Sequence, residues 1–575
     1  MSLVLVAINA KYIHSSAAAR TLAAYAEANA APPFLVREFT INQQAADIAA
    51  ALFLLRPRAV FFSCYLWNIG IIAHVAKRLR KVLPHTAIVL GGPEAGYENE
   101  ALFAFADVIA IGEGERSFVA LLRHYEQSAP ALEDIPGIQY KQNGEILGTP
   151  NAAPMDMNML SFIYTEEALE ALGNRILYYE SSRGCPFDCQ YCLSSAEHSV
   201  RFLPLPRVLD ELSFFLRYNV KQVKLIDRTF NCNPSRALAI VRFLMENDNG
   251  KTNFHFEVAA DLLTDALIEC FRMARKGLFQ LEIGVQSTNP QTLAAVRRQS
   301  DFATLSKVVR AINEAGRTHL HLDLIACLPH EDYESFARSF NDVYALSPQK
   351  LQLGFLKLLK GSGLRRDAEK YGIVFDDEAP YEALYTAVLP HEAVLRLKRI
   401  EHVLEIFGNS GHFTRTVACM VKLYPSAFAF FEALADAEAK EEMPAAHSRT
   451  ANYTRLRVFC AAERPDALEL VSDLLLFDML SVDNAPLSGW MQRCDAEQAV
   501  SRRFYDDKAA ITAVAPHLAQ YPSSRLHRRC RLAVFAHNPT TNARERTYIL
   551  FDYQAQARAG DVVQTHDVTV YMKEA

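Results

Sequence analysis

The sequence predicts an α/β chain in three parts: a doubly wound, Rossmann-like first domain, a partial (βα)6 barrel, and a mostly helical C-terminal accessory domain. Three observations carry this expectation. Over the first 120 or so residues, short continuous runs of Val, Ile, Leu and Ala alternate with helix-length segments, as in strands buried on both faces of a parallel sheet. Six further strand-then-helix repeats follow within 171–365, and such alternation builds a parallel, curved sheet rather than a sandwich. Beyond Arg365, long helix-like segments dominate.

In chain order, strands are expected at 3–8, 59–63, 87–90 and 108–111, with helices over 17–28 and 70–83. These strands end in the small or polar sequences INAKYIHSS, SCYLWN, GGPEAGYE and GEGE. Doubly wound sheets bind ligands beyond such carboxyl ends, so a flat cofactor fits there. Residues 126–170 are irregular and rich in Pro and Gly, which reads as a small hairpin and linker. Barrel strands are expected at 176–180, 223–226, 254–258, 279–285, 320–325 and 350–356. Chemistry in a barrel sits at the C-terminal ends of its strands. The last domain is expected to hold helices over 390–407, 426–439 and 467–475, and to finish in strands at 547–553 and 568–572.

The chain has 575 residues, of which 50% are hydrophobic and 22% charged. That composition excludes disordered, collagen-like and simple coiled-coil classes, and at about 150 residues per domain the length suggests roughly four units. A net charge of −6 gives no global attraction to nucleic acid or anionic lipid. Eleven cysteines are sparse and odd in number, so reduced thiols are expected. The opening residues lack a basic leader and a small-residue cleavage site, and no stretch reaches about 18 uninterrupted apolar residues. The expectation is a cytoplasmic protein without a membrane partner.

The loop after the first barrel strand reads Ser182-Arg183-Gly184-Cys185-Pro186-Phe187-Asp188-Cys189-Gln190-Tyr191-Cys192, a C-x3-C-x2-C pattern. Three thiolates this close can converge on one metal centre. A [4Fe–4S] cluster usually takes four thiolates, so three leave one iron open to another ligand. Structural zinc, with a fourth ligand from elsewhere, or three unrelated cysteines remain as alternatives.

This loop and the segments after it resemble the radical S-adenosylmethionine (SAM) superfamily, in the subfamily that joins a cobalamin-binding domain to the radical SAM barrel. The supporting motifs run in order over about 190 residues: Leu225-Ile226-Asp227-Arg228-Thr229-Phe230-Asn231, Phe256-Glu257-Val258, Leu281-Glu282-Ile283-Gly284-Val285-Gln286-Ser287 and Asp323-Leu324-Ile325-Ala326-Cys327-Leu328-Pro329. The resemblance implies that Cys185, Cys189 and Cys192 hold three irons while SAM chelates the fourth, and that an electron then cleaves SAM to methionine and a 5′-deoxyadenosyl radical. It implies SAM contacts at Tyr191, Asp227, Glu257, Gln286 and Ser287.

It also implies the division 1–125 cobalamin-binding domain, 126–170 linker, 171–365 radical SAM core and 366–575 accessory domain. Cobalamin contacts are expected at Ser63, Leu66, Gly91, Gly92, Gly112, Glu113 and His14. The segment around His14 lacks the Asp and Gly of the Asp-x-His-x-x-Gly pattern that supplies an imidazole to cobalt, so the expectation is cobalamin bound without histidine ligation, or an eroded domain that no longer binds it, with His14 either a cofactor contact or a satisfied loop residue. Tyr65 and Trp67 either flank the corrin or pack at a domain seam, and Cys64 reads as core. The basic run 525–531 reads as a solvated face, so a nucleic-acid partner is not expected.

The implied function is a cobalamin-dependent radical SAM enzyme methylating an unactivated carbon of a small-molecule or peptide substrate, reduced by a partner such as flavodoxin or ferredoxin. Rearrangement or oxidative cyclisation without net methylation, and a non-catalytic cluster and corrinoid redox-sensing module, are the alternatives. No residue was assigned to catalysis itself.

Overall fold

The structure is a computed structural model describing residues 2–196, 199–440, 448–484, 486–487, 489–554 and 563–572. The chain divides into two compact units, Met1–Val394 and Leu395–Ala575.

The first unit opens with a seven-stranded sheet. Five strands are parallel: β1 (Leu3–Asn9), β2 (Phe34–Thr40), β3 (Ala59–Ser63), β4 (Ala87–Gly91) and β5 (Val108–Ala110), in the order β2-β1-β3-β4-β5. Every residue of β1 and β3 is buried, because helices cover both faces. Helices α1 (Ala17–Ala28), α2 (Ala45–Leu54), α3 (Ile69–Val82) and α4 (Glu115–Gln127) alternate with the strands. Val4, Val6 and Ile8 pack with Ile48, Leu52, Ile72 and Leu79 of α2 and α3, while Phe61 meets Phe118 of α4 edge to face at 5.1 Å. Strand order therefore reverses between β1 and β3, the place where such sheets open a crevice.

Two features of this sheet differ from the sequence expectation. Strand β2 went unpredicted because FLVREFT carries Arg37 and Glu38 in place of an apolar run. It lies at the sheet edge and is only half-buried, where charge is tolerated. The hairpin expected within 126–170 consists of β6 (Ile138–Gln142) and β7 (Glu145–Gly148), which extend the same sheet antiparallel from β5. That stretch is therefore not linker alone.

The barrel contains β8 (Leu177–Tyr179), β11 (Gln222–Leu225), β12 (Asn253–Glu257), β13 (Phe279–Gln286), β14 (His319–Ala326) and β15 (Lys350–Phe355). All six pair in parallel in chain order, and β8 and β15 form the two open edges. In β13 the residues Phe279, Leu281, Ile283 and Val285 are buried under the flanking helices while Gln280, Glu282, Gly284 and Gln286 alternate to the other face. Period-two alternation thus gives the barrel an apolar outside and a polar lumen. Between β8 and β11, the short strands β9 (Ser182–Arg183) and β10 (Arg201–Phe202) pair antiparallel and close the cysteine loop into a hairpin.

Residues 366–394, expected with the accessory domain, belong to the first unit. Their short pair β16 (Val374–Phe375) and β17 (Ala383–Tyr385) is tied to the barrel exit, where the Ala383 amide donates to the Leu356 carbonyl at 2.8 Å.

The second unit is mainly helical, around the helix Leu468–Leu480, whose last ten residues are all buried. It also holds a three-stranded antiparallel sheet, β18 (Cys530–Phe535), β19 (Thr547–Asp552) and β20 (Gln564–Asp567). The strand expected at 568–572 is instead a 3-10 turn, Thr569–Met572. The basic run read as a solvated face leads into β18, where Cys530, Leu532 and Ala533 are core. Among the described residues no helix is long and apolar enough to cross a membrane.

Candidate functional site

Two cavities in the first unit meet at a shared wall. The larger, of about 780 Å³, lies beyond the carboxyl ends of β1, β3, β4 and β5 and is closed on its other side by β8 and the cysteine hairpin. The smaller, of about 220 Å³, sits in the barrel mouth. Arg228 and Glu257 line both.

The cysteine loop is held from below. Asp227, one residue past Ile226 at the end of β11, accepts hydrogen bonds from the Ser181 amide at 2.7 Å and the Ser182 amide at 3.0 Å, and from the Ser181 hydroxyl. Burial raises its carboxyl above the usual range, opposed by those same bonds. Gly184 then turns the chain at φ +93°, where an added Cβ would collide with the Ser199 carbonyl, so only glycine fits.

Cys185, Cys189 and Cys192 all line the smaller cavity. The first two are buried and the third half-buried. Thr229 Oγ1 lies 3.6 Å from Cys185 Sγ, and Arg298 Nη1 lies 3.8 Å from Cys189 Sγ. The thiolate is the form of cysteine that binds metal. Tyr191 lines the same cavity, and burial pushes its phenol well above the ordinary value.

Deeper in the lumen the charges are coupled. Lys224 Nζ reaches Glu282 at 2.9 Å and Glu257 at 3.3 Å, and His255 Nε2 is 3.0 Å from Glu282. Burial works to raise the Glu282 carboxyl, but His255 and Lys224 outweigh it and hold the group far below the usual range. Burial raises Glu257, against the pull of Lys224. The Gln286 amide folds over Gly284, in the space a Cβ would fill, and its Oε1 is buried without a hydrogen-bond partner among the described residues. Such an orphan acceptor is costly unless a ligand answers it.

The larger cavity is walled on one side by Tyr65 and Trp67, stacked with centroids 4.4 Å apart and planes 7° from parallel. Trp67 is held by its Nε1, which donates to the Ile8 carbonyl at 3.2 Å. Opposite them, Arg183 of the cysteine hairpin binds three carboxylates, Glu115 at 2.6 Å and Glu113 and Glu180 at 3.0 Å. Glu113 also holds Arg201 at 2.8 Å. This clamp fastens the sheet ends to the strand pair that carries the cysteines.

Family profiles match three stretches of the chain: the B12 binding domain over residues 3–122, the radical SAM superfamily over 179–343, and a protein of unknown function (DUF4080) over 369–551. The chain thus carries a B12-binding domain followed by a radical SAM domain. Similar proteins include the cobalamin-dependent radical SAM methyltransferase TokK of Streptomyces tokunonensis, 26% identical over half of this chain and 44% of that one. They also include the anaerobic magnesium-protoporphyrin IX monomethyl ester cyclase of Cereibacter sphaeroides, 23% identical over 52% of this chain and 51% of that one. The chain thus spans about half the length of these curated relatives. Among solved structures, the fold is shared with the cobalamin-dependent SAM radical enzyme OxsB with aqua-cobalamin and SAM bound, at TM-score 0.55, 13% identity, 83% of this chain and 79% of that one.

The residues expected from sequence separate clearly. Tyr191, Glu257 and Gln286 line the cavity of the cysteines. Asp227 does not: its carboxylate is turned to Ser181 and Ser182. Ser287 does not either, because one residue after Gln286 the side chain leaves the lumen, accepts from the Asn289 amide at 2.9 Å and approaches Ser339.

Ser63, Gly91, Gly92, Gly112, Glu113 and His14 line the larger cavity, whereas Leu66 lies outside it. Gly92 has φ +105° and a Cβ there would come within 2.6 Å of the Cys64 carbonyl, so backbone packing alone requires this glycine. Cys64 is core, its thiol pushed up to about 12 by burial. The His14 ring is taken by the Tyr178 hydroxyl at 2.5 Å; burial first, then Lys11 and Lys224, lower its proton affinity.

Sequence reading missed Arg298, Thr229 and Arg228. Thr229 and Arg228 stand inside a motif that was quoted, but Arg298 follows β13 by a dozen residues and carries no local pattern; only folding brings it to Cys189.

Proposed function

We propose that this protein is a cobalamin-dependent radical SAM enzyme that transfers a methyl group to an unactivated carbon of a small-molecule substrate. One observation carries the reading: three thiols without a fourth line a cavity that opens, through Glu257 and Arg228, onto a larger cavity at the ends of a B12-type sheet. When bound, a [4Fe–4S] cluster supplies the electron that cleaves SAM, and cobalamin supplies a methyl carrier.

The residues present fit both groups. Cys185, Cys189 and Cys192 would hold the cluster, with the Arg298 guanidinium beside Cys189. Tyr191, Gln286 and Glu257 would receive SAM, Gln286 through its orphan amide oxygen. The Tyr65–Trp67 stack offers a flat apolar face to a corrin, with Ser63, Gly91 and Gly112 along the remaining sheet ends. His14, bound to Tyr178 and disfavoured as a cation, is not placed as a lower cobalt ligand.

On this reading residues 1–125 carry the corrin and 171–365 the cluster and SAM, while a small reducing protein such as flavodoxin or ferredoxin supplies electrons in the cytoplasm.

Anaerobically loaded protein is expected to convert SAM to 5′-deoxyadenosine and methionine on reduction, and Cys189→Ala to abolish this. Deoxyadenosine without S-adenosylhomocysteine in the presence of the true substrate would replace methyl transfer by cyclisation or rearrangement. A stable cluster with no SAM cleavage would reduce the protein to a redox module.

A further inference from the structure

The walls of the larger cavity are charged, yet nearly every charge has an answer. Arg183 takes the carboxylates at the sheet ends, Arg207 pairs with Glu211 at 2.7 Å, and Glu257 pairs with Lys224. Arg228 is the exception: it is exposed, lines both cavities, and has no hydrogen bond or ion pair from its side chain among the described residues, its charge acting on Glu257 only at longer range.

The backbone that carries it is nonetheless fixed on both sides. Asp227 on one side is pinned to Ser181 and Ser182. On the other, Thr229 lies beside Cys185, and Phe230 stacks on Phe256 at 4.1 Å. A guanidinium carried on fixed backbone at the junction of two cavities, with its donors unused, can receive an anion there, because its planar fork matches carboxylate and phosphate with paired hydrogen bonds.

We infer that Arg228 binds the anionic group of the substrate, so that the substrate class is a carboxylate or a phosphate ester seated where the two cavities meet. This rests on the functional reading above, and that reading strengthens it. On that reading SAM occupies the smaller cavity and the corrin the larger, which leaves Arg228 at their junction. An anion held by Arg228 would seat the substrate where the two cavities meet.

Phenylglyoxal labelling of Arg228, followed by peptide mass on the full chain, tests this first. Inorganic phosphate or succinate at millimolar concentration is expected to slow labelling at Arg228, and SAM alone is not. Calorimetric titration of the loaded protein with the same two anions is then expected to show binding weakened roughly ten- to hundredfold in Arg228→Gln and partly restored in Arg228→Lys. The SAM-induced change in the cluster spectrum should stay as in the parent.

Protection by SAM alone, or loss of SAM binding in Arg228→Gln, would assign the residue to the nucleotide and overturn the proposal. Equal anion binding by parent and variant would overturn it as well. Failure to load iron or cobalt would instead count against the functional reading, while labelling of the unloaded chain still decides Arg228.

Discussion

Asp227 shows how one carboxylate can govern a site it does not enter. It is 2% exposed and accepts from two consecutive backbone amides just before the cysteine hairpin, so it sets the direction in which Cys185 leaves the barrel. Asp227→Ala leaves those amides buried and unanswered, which costs roughly 2–5 kcal/mol. The expected outcome is a lower melting temperature together with reduced iron content. Full iron loading at unchanged stability would show that the hairpin is held by other contacts.

Sequence alone suggested a SAM contact at this position because motif order locates a residue along the chain but not the turn of its side chain. Ser287 failed for the same reason, one step of strand alternation past Gln286. The cysteines were legible because their spacing is itself the geometry: a loop of eight residues cannot separate three thiols far. Arg228 was visible as a letter, but its lack of a partner exists only after folding.

At the scale of elements, the parallel strands were readable where burial on both faces left an uninterrupted apolar run, as in β1 and β3. They were unreadable at the edge, where β2 carries charge. The second unit offered weaker signals, since β18 begins inside a basic run whose arginines flank the strand's core residues.

That unit also contains a helix start with a measurable titration. Asp478 accepts from the Thr416 amide at 2.9 Å, the Thr416 hydroxyl at 2.7 Å and the Arg415 amide at 3.2 Å, at the start of the helix Thr414–Val421. Burial pushes its carboxyl up to about 6, against those bonds. An unfolded Asp titrates near 3.9, so between pH 6 and 4 the folded chain binds a proton that the unfolded chain does not. Folding is therefore favoured by this group as pH falls through that window. Asp478→Asn keeps an acceptor oxygen and removes the titration. Its melting temperature is expected to gain less than the parent's between pH 7 and 4, and parallel curves for the two proteins would contradict this.

Across the molecule, the decisive arrangement is the joining of two cavities that the sequence presented only as separate motifs. The strand-end glycines and the cysteine loop lie about 100 residues apart in the chain, and the Arg183 clamp on Glu113, Glu115 and Glu180 brings them to one place. Glu113, expected to touch cobalamin, serves this clamp while lining the cavity, so its carboxylate is committed to holding the sheet ends to the cysteine hairpin.

The central claim is an iron–sulfur cluster on three thiols with a SAM site beside it. It is tested most directly by metal analysis and electron paramagnetic resonance of protein purified and reduced without oxygen, before and after adding SAM. The account predicts about four irons per chain, cobalt in comparable molar amount to the protein, and a reduced-cluster signal that shifts when SAM is added. Zinc in place of iron, or a cluster signal indifferent to SAM, would contradict it.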